Sequence, residues 1–369
     1  MPNPFVCCQR IQNPRQFIGR EQELRAIFDA LETAHTGQLQ SVSIVGPRRM
    51  GRSSLLTHVT QVYSRRLSGA RRYILRYIDL QSHAFTADLP TLLAALLREL
   101  RDGLPAPIGP DEAALRADLE RRLGGGALTL ADFEAAFRRF HALPQPFYPV
   151  LCLDELEHLT QQPGRFPADL YNSWRSLIDG NHLGLVIATT LPLHELSAQG
   201  RLTSPFFNIF SEYLTLGELT EAEANRLIQR GQRCDRPFDA ADCARALEWA
   251  GHHPLKLQQA GSVIYQAKGE RRPNWRQARR EYQAKMRRQF GLRTRREQAG
   301  RSLQGVTDSL GQVALFVRGQ ASPNSARLLG GVILGLIVVI ILLLLGFPAL
   351  REWLGGLLSQ LTPGATPTP

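Results

Sequence analysis

The run GPRRMGRSSLL opens at Gly46 and places residues that could hold phosphate. Gly46 and Gly51 flank Pro47, Arg48, Arg49 and Met50, and the loop runs into Arg52, Ser53 and Ser54. The spacing follows G-x-x-x-x-G-K-[ST], except that Arg52 stands where lysine is expected. Such a loop binds an oxyanion because successive backbone N–H groups curl around it and a helix N-terminus faces it. Ser53 holds the position of a Mg²⁺-binding hydroxyl. Arg52 keeps the charge of lysine but is longer, planar and forked, so binding through the backbone is retained while the geometry for transfer changes. A second set of groups follows in VLCLDE, where the apolar run Val150 to Leu153 ends on Asp154 and Glu155. Carboxylates directly after a buried strand face the ligand crevice at the carboxyl edge of a sheet. There Asp154 would bind Mg²⁺ through water and Glu155 would polarise an attacking water.

The elements needed to position these residues are legible around them. Ser41 to Val45 is β-rich and precedes the glycine loop, and a helical pattern follows from Ser53, giving strand, loop and helix in the required order. Further strands are predicted at Arg72 to Gln81, Val150 to Leu153, His182 to Thr190 and within SEYLTLGEL. Helices are predicted between them, with Leu24, Ile27, Phe28 and Leu31 on one face and Thr129 as a cap. Strands alternating with helices imply a mostly parallel sheet covered on both faces. From Thr220, capped against Glu223, the pattern is helical only and is broken at Gly251 and Pro254.

As a set, these motifs resemble the bacterial AAA-like and STAND-type P-loop ATPases of the AAA+ superfamily. FIGREQEL resembles the N-terminal box, which implies that Ile18 and Gly19 lie near adenine. GPRRMGRSSLL resembles the Walker A motif and VLCLDE the Walker B motif. VIATT resembles the sensor-one strand, implying Thr189 or Thr190 near the γ-phosphate, and GHHPLKLQ resembles a lid turn that brings Pro254 toward the base. The resemblance covers Phe17 to about Tyr265. It implies an α/β P-loop NTPase with five strands in the order 5-1-4-3-2, a small helical lid, ATP and Mg²⁺ as ligands, and self-association. Arg201, with Arg175 second, is the candidate for an arginine finger, set against a plain surface role.

The remaining chain points to a membrane. Leu328 to Phe347 carries no charge across twenty residues, the length that spans a hydrocarbon core as a helix. Insertion is favourable by several kcal/mol at roughly −0.3 to −0.6 kcal/mol per Leu, Ile, Val or Phe. The net charge of +11 lies almost wholly between Lys268 and Arg301, where 13 Lys and Arg face three Glu. A basic segment beside a span favours contact with anionic lipid and a cytoplasmic location. The five cysteines form no C-x-x-C pair and suit a reducing compartment. The expected organisation is an N-terminal segment 1–15, an NTPase core 16–219, a lid 220–267, a basic juxtamembrane segment 268–327, a single transmembrane helix 328–347 and a disordered extracytoplasmic tail 348–369. The expected function is a membrane-tethered ATPase or nucleotide switch with a homo-oligomeric or other protein partner. Two alternatives stand beside it: a non-hydrolysing ATP-binding scaffold, given Arg52, and a nucleic-acid-linked ATPase of the origin-binding kind.

Overall fold

Five short strands form the sheet; four are largely buried, with apolar or aromatic residues at most positions as suits strands covered on both faces, and the fifth is mostly exposed. In the computed structural model they are β1 (Val42–Val45), β2 (Tyr73–Asp79), β3 (Tyr148–Asp154), β4 (Gly184–Thr189) and β5 (Glu212–Thr215). The structure describes residues 3–5, 9–106, 109–200 and 204–291. All strand pairings are parallel, and the order across the sheet is β2-β3-β4-β1-β5, which is the expected 5-1-4-3-2 read from the other edge.

Alternation along the strands divides the core in two. Val150 and Cys152 of β3, with Val186 and Ala188 of β4, pack with Leu24, Ile27, Phe28 and Leu31 of the helix Glu21–Glu32 and with Leu55, Leu56 and Val59 of the helix Arg52–Val62. Leu151 and Leu153, with Leu185 and Ile187, meet a larger cluster built by the helices Leu89–Gly103, Leu130–His141 and Ala168–Asp179, whose Phe133, Phe137 and Trp174 are fully buried. Burying such side chains contributes roughly 1.5–3 kcal/mol each against exposure. β3 starts two residues earlier than its apolar run predicts, because Pro149 is accommodated inside it. Its pairing with β4 begins only at Val150, so the missing proline N–H deprives no partner on that side.

Thr129 and Thr220 both form the predicted reciprocal caps, with Asp132 and Glu223. The region expected to form a lid holds the helices Glu221–Ile228, Ala240–Ala250 and Pro254–Ala267. A further helix, Trp275–Met286, lies against it: Tyr282 stacks on Trp249 at 5.7 Å, and Arg245 sits 3.8 Å over the Trp275 ring. The predicted span 328–347, its tail and most of the basic linker lie outside the described residues, as does Arg201. Among the described residues, no helix is long and apolar enough to cross a membrane.

Candidate functional site

The parallel register brings the carboxyl ends of β1, β2, β3 and β4 together. Asp79 pairs with Asp154, Asp154 with Ala188, and Val45 with Thr189. Everything that follows these ends gathers along one edge.

Gly46 leaves β1 with its N–H on the Thr189 carbonyl at 3.1 Å. A Cβ there would lie 2.8 Å from the Leu216 carbonyl oxygen, so only glycine fits the approach of β1 to the segment after β5. The loop then turns through two left-handed residues, Arg49 (φ 72°) and Gly51 (φ 97°). Pro47, Arg48 and Arg49 are exposed, Met50 is half-buried, and the helix starts at Arg52.

Arg52 does not face outward with its basic neighbours. It is buried, and it forks: Nη2 donates to Glu155 Oε1 at 2.7 Å and Nη1 to Thr190 Oγ1 at 3.1 Å. One guanidinium therefore joins the loop, the acid after β3 and the residue after β4. Of the two threonines, Thr190 is the one turned to the loop, since the Thr189 hydroxyl donates to the Leu191 carbonyl at 2.7 Å. Glu155 has a left-handed backbone (φ 58°), a conformation costing about 1–3 kcal/mol outside glycine, and its N–H is tied to the Ala188 carbonyl at 3.0 Å. Arg48 lies 3.9 Å from its second oxygen. Burial raises the Glu155 pKa above the ordinary glutamate value, Arg52 pulls it back, and the nearby Glu157 charge pushes it up again.

Asp154 has different company. It is buried; Oδ2 accepts the Tyr77 hydroxyl at 2.9 Å, and Oδ1 is buried with no hydrogen-bond partner among the described residues. Burial again raises its pKa, while the Ser53 and Tyr77 hydroxyls favour the charged form. A buried carboxylate oxygen with no donor, beside the Ser53 hydroxyl, is the oxygen-only donor set that a hard divalent cation prefers. Asp154 and Ser53 thus fit Mg²⁺.

Three contributors were not read from the sequence, and a fourth, Glu223, was read only as a helix cap. Tyr77 lies in an ordinary-looking strand. Glu157, buried, accepts the Thr190 N–H and so fixes the residue that Arg52 touches. Arg20, directly after Gly19, is buried in a left-handed conformation (φ 66°); its Nη2 donates to the Met50 carbonyl at 3.1 Å and to the Gly217 carbonyl at 2.6 Å. Glu223 caps Thr220 and also accepts the Arg20 N–H at 2.5 Å, while a Cβ on Gly19 would come within 3.0 Å of its carboxylate carbon. The N-terminal box, the glycine loop and the first lid helix are thereby fastened together. Ile18 and Pro254, both half-buried, fall on these fastened segments, Pro254 opening its helix behind the cap His253. Arg175 pairs along its own helix with Asp179 at 3.4 Å.

Comparison with known proteins bears on this edge directly. The family profile described as the AAA ATPase domain matches residues 16–187. This segment is therefore similar to an AAA ATPase domain. It contains the glycine loop, Arg52, Asp154, Glu155 and the start of β4, while Thr190 and the lid lie beyond its end. Two solved structures share the fold of most of this chain. The Walker-type ATPase of Pyrococcus abyssi matches at a TM-score of 0.51 and 18% identity over 80% of each chain. The Aeropyrum pernix ORC2 protein, solved as ADPNP–ADP complexes, matches at 0.51 and 16% identity over 72% of this chain and 69% of its own. No curated protein sequence matches the chain significantly.

Proposed function

We propose that the chain is a membrane-tethered, Mg²⁺-dependent ATPase or nucleotide switch in which Arg52 holds the base, Glu155, until ATP arrives. The backbone N–H groups of the Gly46–Gly51 loop would receive the phosphates, and Ser53 and Asp154 would hold Mg²⁺. That ion, when bound, neutralises charge on the phosphate oxygens. Ile18, Gly19 and Pro254 would flank the base.

The reading is carried by the fork of Arg52 between Glu155 and Thr190. A γ-phosphate entering the loop is a stronger acceptor than a threonine hydroxyl, and it competes with Glu155 for the guanidinium. Drawing Arg52 onto the phosphate leaves Glu155 an unpaired carboxylate with a raised pKa, which is the condition for taking a proton from water. Thr190, held by Glu157, would then face the same phosphate.

The same ion pair favours a second reading, the non-hydrolysing scaffold, in which Glu155 stays neutralised after ATP binds. The two readings separate when equilibrium binding of a fluorescent ATP analogue is measured beside steady-state phosphate release. Mg²⁺-dependent binding with turnover supports the first, and binding without turnover under lipid and protein-free conditions supports the second. Undiminished binding in a Ser53→Ala/Asp154→Ala chain would falsify the site assignment itself.

Tethering rests on the uncharged run from Leu328 to Phe347 and the basic stretch before it. The exposed Arg276 and Arg280 of the helix Trp275–Met286 would add to the attraction for an anionic leaflet, worth roughly 1 kcal/mol for each residue that reaches it. This charge bias supports a cytoplasmic side for the nucleotide-binding part. A Thr368→Cys chain labelled on intact cells by an impermeant thiol reagent tests the orientation; labelling only after lysis reverses it.

A further inference from the structure

The Asp154 carboxylate is met by the Ser53 and Tyr77 hydroxyls, and the Tyr77 ring is itself covered by a segment before residue 16. Tyr77 stands in β2 two residues before Asp79, whose register partner is Asp154. Its hydroxyl reaches across to Asp154 Oδ2 at 2.9 Å, leaving Oδ1 buried and without a hydrogen-bond partner among the described residues. The Tyr77 ring is covered in turn by Arg10, whose guanidinium carbon lies 4.2 Å from the ring centroid. Arg10 is fixed by its neighbours: the Ile11 N–H donates to Ser54 Oγ at 3.1 Å, and Gln61 Nε2 donates to the Gln12 carbonyl at 2.6 Å. Between this segment and the strand ends lies an open cleft of about 430 Å³, bordered by Arg10, Ser53, Tyr77 and Asp79.

From this geometry we propose that Tyr77 is a positioning residue for the divalent cation. It occupies one carboxylate oxygen of Asp154 so that the other is presented, in a single rotamer, on the side of Ser53. Arg10 acts one step further out by fixing the Tyr77 ring. The carboxylate would otherwise turn between rotamers, and cation affinity would fall by the fraction of time it is misaligned. Outer partners of this kind set metal affinity by about 10–100-fold. The cleft, which Asp79 also borders, would leave room for a hydrated cation held by Ser53 and Asp154. The inference rests on the ATPase reading, because it assumes that Asp154 and Ser53 hold Mg²⁺.

The test measures binding, not turnover. A fluorescent ATP analogue is titrated into the full chain, first in EDTA and then at fixed nucleotide with increasing Mg²⁺. For Tyr77→Phe, which keeps the ring, the Mg²⁺ midpoint is expected to rise about 10-fold or more, while affinity in EDTA stays within about twofold of wild type. Arg10→Gln is expected to move the midpoint in the same direction by a smaller factor, and Mn²⁺ should show the same order of variants. An unmoved midpoint in Tyr77→Phe overturns the inference. So does an equal loss of binding with and without Mg²⁺, which marks Tyr77 as a support of the fold only. A wild-type chain whose nucleotide binding ignores Mg²⁺ overturns the underlying ATPase reading together with this one, so the two failures are told apart.

Discussion

Asp154 and Glu155 are chain neighbours, both buried and both pushed toward the neutral form by burial, yet their surroundings are opposite. Asp154 is met by the neutral hydroxyls of Tyr77 and Ser53 and keeps one oxygen without a donor. Glu155 is met by arginines and keeps little of its charge to spare. The difference arises from the backbone. Asp154 ends a regular strand, while the left-handed turn at Glu155 swings the next side chain toward the loop. Hydroxyl partners orient a carboxylate without neutralising it, leaving it able to take a cation. A guanidinium neutralises it and must leave before it can act as a base.

The largest effect expected is on chemistry. Glu155→Gln should keep nucleotide affinity and lower turnover by about 10²-fold or more, the usual loss for a general base. Asp154→Asn should instead remove the Mg²⁺ dependence of binding. Titrations in which both variants lose the same property would break the comparison.

Next comes the stability of the arginine side. Arg52→Ala leaves Glu155 buried beside no compensating charge at 2.7 Å, a loss of about 3 kcal/mol. The thermal midpoint should drop by roughly 6–10 °C. Adding Glu155→Gln should recover more than half of that drop. A simple sum of the two single effects would mean that the pair is not coupled.

Arg52→Lys is the sharper variant. A lysine cannot fork between Glu155 and Thr190, so its point charge frees the base sooner. Hydrolysis at saturating ATP should be equal or faster, with binding retained. A large loss would mean that the site is built around the guanidinium in its working state as well.

The smallest effect belongs to a third carboxylate. Burial would raise the Glu223 pKa, but the Thr220 N–H, the Glu21 side chain, the Arg20 N–H and the Thr220 hydroxyl outweigh it and bring it from 4.5 to about 2. A depressed carboxylate contributes its stability fully above the unfolded value and loses it as pH falls through the folded one. The difference in thermal midpoint between wild type and Glu223→Gln should therefore be flat above about pH 5 and shrink only between about pH 4.5 and 2. A difference that vanished near pH 6 would remove Glu223 from this role.

The sequence made the strands, the glycine loop, the apolar run ending in Asp154 and Glu155 and the paired caps readable, because each has a local signature, whereas the strand order came only from the resemblance. Glycine spacing, an apolar run ending in acids and a threonine three residues before an acid all act over a few positions. Tyr77 and Arg20 have no such signature. Their roles depend on strand register and on a contact between segments nearly 200 residues apart, as in the Arg20 bond to Gly217. Arg52 was visible as a departure from the motif. That it turns inward followed only from the positions of Glu155 and Thr190, which the loop sequence does not encode. Glu157 was two residues from a residue already singled out, and the strand-to-helix turn that buries it was the missing step.

Cys152 sits at the centre of β3, two residues before Asp154, fully buried, with burial pushing its thiol up to about 12. A thiol so placed is inert until the central strand parts from its neighbours. The chain therefore carries its own clock for the opening of the strand that bears both acids. In a background where the other cysteines are serine, the rate at which a thiol reagent reaches Cys152 counts those openings. Anything that binds at the end of the strand slows the clock in proportion to its occupancy, whether or not any chemistry follows.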